Sequence, residues 1–157
     1  MKKKFKGFTL VELIVVIAII GVLAAILVPN MMGYISKSKL SSANTAAKNV
    51  QTAVVTYKAD QESMGKGSTL KGSTGVAPTS SSTGEEGAVY TALAGNSNIG
   101  YCAWGENGTG SSAIVWAQWK DSADGTVWGQ FPNACSDYTA WKAQTGASFG
   151  TYHGGTW

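Results

Sequence analysis

The chain has 157 residues and offers little to acid–base or nucleophilic catalysis: one histidine (His153), two cysteines (Cys102 and Cys135) and nine carboxylates. His153 stands in a glycine-rich C-terminus, with no histidine near a candidate nucleophile and no paired carboxylates in an apolar setting. No enzyme is expected from this inventory. One histidine and two cysteines also exclude a histidine-rich metal site and a zinc ribbon, and no metal or cofactor is expected. Asp121 and Asp124, beside Gly125, are suitable calcium ligands in type, but two carboxylates without further ligands read as a turn. Gly65-Lys66-Gly67-Ser68-Thr69 lacks the order and the strand–helix context of a phosphate-binding loop. Arginine is absent, and four of the twelve lysines (Lys2, Lys3, Lys4 and Lys6) fall in the first seven residues. The rest carries eight lysines against nine acids, so a nucleic-acid-binding surface is not expected.

The most informative titratable residue is Glu12. From Phe8 to Val28 only Thr9 and Glu12 are polar, and as a helix this run is about 31 Å long, the thickness of a bilayer's hydrocarbon core. A carboxylate there is costly and usually marks a function, although one near the end of the span can snorkel to the interface. Lysines before the run and no basic cluster after it place the N-terminus in the cytoplasm and everything beyond Pro29 outside. The run is too long for a secretory signal, and a lipoprotein would need a cysteine much nearer than Cys102.

The string Lys2-Lys3-Lys4-Phe5-Lys6-Gly7, then Phe8-Thr9-Leu10-Val11-Glu12, then the apolar run, resembles the precursor N-terminus of type IV pilins and related type II secretion pseudopilins. Gly21 and Pro29 stand at the family's spacing, and the resemblance covers roughly residues 1–60. It implies a leader of residues 1–7, cleavage by a prepilin peptidase between Gly7 and Phe8, and N-methylation of Phe8. It also implies a homopolymer put together by assembly machinery in the membrane. Cleavage would leave a cationic amine on Phe8, one turn from Glu12. In a stack of subunits the Glu12 carboxylate can meet a neighbour's amine, and an unpaired charge in that low-dielectric core would penalise other axial offsets.

The elements that hold these residues are expected to form an α+β fold. One long helix, residues 8–60, comprises a membrane or filament-core half (8–29) and an amphipathic half (30–60), kinked near Pro29 and weakened at Gly21. Leu40, Ala43, Ala46 or Ala47, Val50, Ala53 or Val54, and Tyr57 recur at helical spacing and mark the face that packs on a small antiparallel sheet. Residues 61–98, dense in Gly, Ser and Thr, read as a loop. Residues 99–157 read as the sheet region, with strands near Ile99–Trp104, Ser112–Trp119 and Thr126–Phe131.

Cys102 and Cys135, in a head outside the cytoplasm, are expected to form a disulfide. Closing that loop would contribute roughly 3–4 kcal/mol. All six tryptophans (Trp104, Trp116, Trp119, Trp128, Trp141 and Trp157) lie in the last 54 residues. A sheet packed on one helix has one inner face, so some tryptophans are expected outside. There they would either stack on the sugar rings of a polysaccharide or host glycan, or contact other subunits. The leading reading is a structural pilus subunit, membrane-bound as a precursor and on the cell surface when assembled. The alternatives are a glycan-binding adhesin, or a minor pilin or pseudopilin of a secretion or DNA-uptake system.

Overall fold

The computed structural model describes residues 7–66, 70–93, 99–108, 113–143 and 148–154. The chain divides into two compact units, residues 1–35 and 36–157, with one helix contributing to both. That helix, α1, runs Leu10–Ser63, 54 residues with Pro29 inside it. Asn30 Nδ2 donates to the Ile26 carbonyl at 3.2 Å, one turn back. The helix ends where Gly65, at φ 71°, takes a left-handed conformation and the Lys66 N–H returns to the Gln61 carbonyl at 3.0 Å. Glycine makes such a stop at little cost because it has no Cβ to clash.

In the second unit α1 buries Leu40, Ala43, Ala47, Val50, Ala53 and Val54, the stripe that the 3.6-residue period marks. It packs on a four-stranded antiparallel sheet in the order β1-β2-β3-β4. The strands are β1 (Ser73–Val76), β2 (Tyr101–Asn107), β3 (Ile114–Lys120) and β4 (Trp128–Phe131). In register, Cys102 faces Trp119, which faces Gly129. The inner face brings Cys102, Trp104 and Ala117 against Val50, Ala53 and Val54. Over Gly129 the helix comes so close that a Cβ there would overlap the Ala43 carbonyl and the Asn44 nitrogen. Asn44 then ties the layers together. Its Nδ2 donates to the Cys135 carbonyl at 2.6 Å, and its Oδ1 accepts the Gln130 N–H at 3.2 Å.

The segment 61–98, expected as a loop, instead contains β1 and a second helix, α2 (Gly84–Leu93). Val89 and Leu93, four residues apart, are buried in the same core. Glu85, in the first turn of α2, accepts the Lys71 and Gly72 N–H groups at 2.7 and 3.2 Å and the Trp104 Nε1–H at 2.8 Å. One carboxylate thus joins α2, the approach to β1 and the largest core side chain. Glu85→Ala leaves three donors unpaired and is expected to cost about 2–4 kcal/mol. Glu85→Gln, which keeps one acceptor oxygen, should lose about half as much. Thermal melts of the two variants beside the wild type check this, and a Glu85→Ala midpoint equal to the wild type's would refute it.

The region from residue 99 onward carries β2, β3 and β4, as expected, and also a short helix, α3 (Tyr138–Ala143). Asp137 caps α3 by accepting the Thr139 N–H at 2.7 Å. Hydrogen bonds from the Thr139 and Ala140 backbone hold its carboxyl below the usual range.

Candidate functional site

Gly7, Phe8 and Thr9 precede the first helical residue and are exposed; Met1–Lys6 lie outside the described residues. Phe8 is 81 % exposed. The Thr9 carbonyl accepts the Leu13 N–H at 3.3 Å, which makes Thr9 the cap of α1. The Thr9 N–H and Oγ1–H both donate to Glu12 Oε2, at 2.9 and 2.8 Å. The Glu12 N–H returns to Thr9 Oγ1 at 3.3 Å. This is a reciprocal capping box: each side chain satisfies a backbone donor that the helix start leaves orphaned. Its sequence signal, Thr-x-x-Glu ahead of an apolar run, was visible in Thr9-Leu10-Val11-Glu12. Read only as a charge in a membrane segment, Glu12 gives no hint of this role. The carboxylate also sits at the positive end of the helix dipole, so it is both oriented and electrostatically favoured.

Beyond the cap, every residue through Ile35 is exposed, including Leu13, Ile17, Ile20, Leu23 and Leu27. The helix is long and apolar enough to cross a membrane, and none of its most apolar window is buried. An uncovered apolar surface this large marks a membrane or protein contact. Gly21 meets open space on this unit.

In the head the expected disulfide is not formed: Cys102 and Cys135 are buried free thiols. Cys102 sits on the inner face of β2 in the core, while Cys135 lies beyond β4, where its carbonyl accepts from Asn44 and its Sγ lies 3.1 Å from the Asp137 carbonyl. Burial pushes the Cys102 thiol up to about 12, which suppresses the thiolate that oxidation requires.

The outward tryptophans are also corrected. Trp104, Trp116 and Trp128 are buried and Trp119 and Trp141 half-buried, while Trp157 lies outside the described residues. Trp116 and Trp119 do take opposite faces of β3, but both faces are covered. Trp119 packs on the inner core and donates Nε1–H to the Ile99 carbonyl at 2.7 Å. On the other face Trp116 stacks on Tyr152, with centroids 6.3 Å apart, and Trp128 meets Trp141 and Phe149 edge-on at 5.9 and 6.5 Å. Among the described residues no tryptophan is exposed. The Asp121–Gly125 stretch is a turn, closed by the Gly125 N–H on the Ser122 carbonyl at 3.0 Å.

A helix long and apolar enough to cross a membrane, opened by this cap and leading into an α+β head, is the architecture expected of a prepilin. Residues 2–28 match the family described as the prokaryotic N-terminal methylation motif. The chain is 32 % identical over 137 residues to the type IV major fimbrial protein FimA of Dichelobacter nodosus, covering 80 % of this chain and 88 % of that one. It is 34 % identical over 125 residues to the type IV major pilin PilE of Neisseria gonorrhoeae, covering 75 % and 70 %. Similarity to the major pilin PilA of Myxococcus xanthus is 44 % over 57 residues, covering 36 % and 26 %. No solved structure matches the chain significantly. The chain belongs to the type IV pilin family.

Proposed function

We propose that this chain is a major structural subunit of a type IV pilus, made as a precursor that a prepilin peptidase cuts between Gly7 and Phe8. The same processing methylates the new amine of Phe8. The precursor spans the cytoplasmic membrane through residues 8–29 with its lysine-rich start inside and its head outside. Subunits then polymerise through this helix, and each Glu12 pairs with a neighbour's Phe8 amine. Pro29 and Gly21 are the positions at which the helix yields when it leaves the bilayer for the fibre. The observation that carries this reading is the wholly uncovered apolar surface of Phe8–Ile35 behind an oriented carboxylate. Such a surface needs a bilayer or other copies of itself around it. Relatives over most of the chain's length are named as major fimbrial and pilin proteins.

N-terminal sequencing and intact mass of protein sheared from cells test the processing directly. The expected start is N-methylphenylalanine at Phe8, lighter than the full chain by residues 1–7 and heavier by one methyl group. A protein that begins at Met1 would reduce the helix to a simple anchor.

A further inference from the structure

Gln118 and Gln130 are among the most buried side chains in the protein, 0 % and 1 % exposed. They face each other across β3 and β4, on the face of the sheet turned away from α1. Gln118 Nε2 donates to Gln130 Oε1 at 2.9 Å and to the Thr151 carbonyl at 2.7 Å, while Gln118 Oε1 accepts the Gly150 N–H at 2.6 Å. Gln130 Oε1 accepts the His153 N–H at 2.9 Å, and Gln130 Nε2 donates to the His153 carbonyl at 2.8 Å. Both oxygens and both nitrogens of the pair are therefore engaged; four of these bonds run to residues 150–153, and Gln130 Nε2 also reaches the Pro132 and Asn133 carbonyls at 3.3 and 3.4 Å.

That C-terminal stretch crosses the sheet. His153 sits over β4, Thr151 over β3, and Gly150 lies so close to Thr74 of β1 that a Cβ would overlap its methyl group. Under the crossing, β2 presents Ala103 and Gly105, small enough to let it pass. On either side of the amide pair, Tyr152 covers Trp116 and Phe149 covers Trp128.

An apolar pair at these two positions could stay buried under many covers. Buried amides cannot, because each unpaired polar atom in a dry site is costly and only matching backbone groups relieve it. We propose that the Gln118–Gln130 pair is the fastener of the C-terminal segment: it locks residues 148–154 across the outer face of the sheet without a covalent bond, independently of thiol oxidation. Neither cysteine enters this network.

Hydrogen–deuterium exchange of the full chain in detergent micelles tests it, read on peptides covering 148–154 and on α1 peptides covering 40–57. In the wild type, protection of 148–154 should be the same with and without a thiol reductant. Gln118→Leu and Gln130→Leu keep the volume and remove the polar atoms. Each should speed exchange at 148–154 at least tenfold and shift tryptophan emission to the red, while the α1 peptides stay protected. If those variants fail to fold, Gly150→Val displaces the segment from its own side, and it should give the same selective release. Unchanged exchange in the glutamine variants, or in Gly150→Val when they do not fold, would overturn the proposal. So would a reductant-dependent loss of protection in the wild type.

Discussion

Glu12→Val is expected to leave the subunit in the membrane and processed, yet absent from filaments. The wild-type carboxylate is held in place by Thr9, through bonds of 2.9 and 2.8 Å on one oxygen. In a fibre built from these helices, valine would leave a neighbour's Phe8 amine charged and unpaired among apolar side chains, where partnerless charges are strongly disfavoured. Incorporation should fall roughly a hundredfold or more, since each 1.4 kcal/mol is a factor of ten. Two further variants separate the charge from the cap. Glu12→Gln preserves the capping box, which accepts glutamine, but removes the charge; Thr9→Val keeps the charge and removes the cap. If pairing governs assembly, Glu12→Gln should fail nearly as badly as Glu12→Val, while Thr9→Val should still assemble at reduced yield. Immunoblots of sheared surface protein against membrane fractions measure all three. Wild-type filament yield from Glu12→Val would sink the pairing.

Gly129→Ala should be the most damaging single methyl addition in the head. The new Cβ would overlap backbone atoms of Ala43 and Asn44 rather than the tip of a flexible side chain. The helix would have to lift from β4, straining the Asn44 bonds to Cys135 and Gln130. Overpacking of this kind costs about 3 kcal/mol or more, which lowers the unfolding midpoint by about 10 °C in a domain of this size. Gly33→Ala is the matched control, because nothing lies within 4 Å of its added methyl. Thermal melts followed by circular dichroism compare them, and equal midpoints would show that the sheet yields freely.

The parts of the fold with strong periodicity were legible in the sequence. The stripe Leu40–Val54 and the aromatic runs of β2, β3 and β4 carry their structure in their spacing. The elements that escaped are those whose composition speaks against them. Glycines at 84 and 87 hide α2, whose place is decided by burying Val89 and Leu93, and β1 is made of Ser, Thr, Gly and Val. Gln118 and Gln130 alternate with aromatics, so along a strand they read as solvent-facing. Only the C-terminal segment that covers them makes them interior, and no local pattern announces so distant a contact. The same cover accounts for Trp116 and Trp128, which Tyr152 and Phe149 meet on the outer face. Cysteine spacing, likewise, states how long a loop is and nothing of where the fold puts its ends. At the N-terminus the motif was plain, whereas the capping role of Glu12 needed coordinates, because a cap and a charge call for the same residue.

The bare apolar helix also constrains the route into the fibre. With Phe8 through Ile35 uncovered, a stopover in water would expose nearly thirty residues of oily surface at a cost on the order of tens of kcal/mol. Such a detour is closed at any useful rate. On the proposed route from bilayer to fibre the helix would therefore have to keep apolar neighbours on it throughout, which would put the growing end in or against the bilayer.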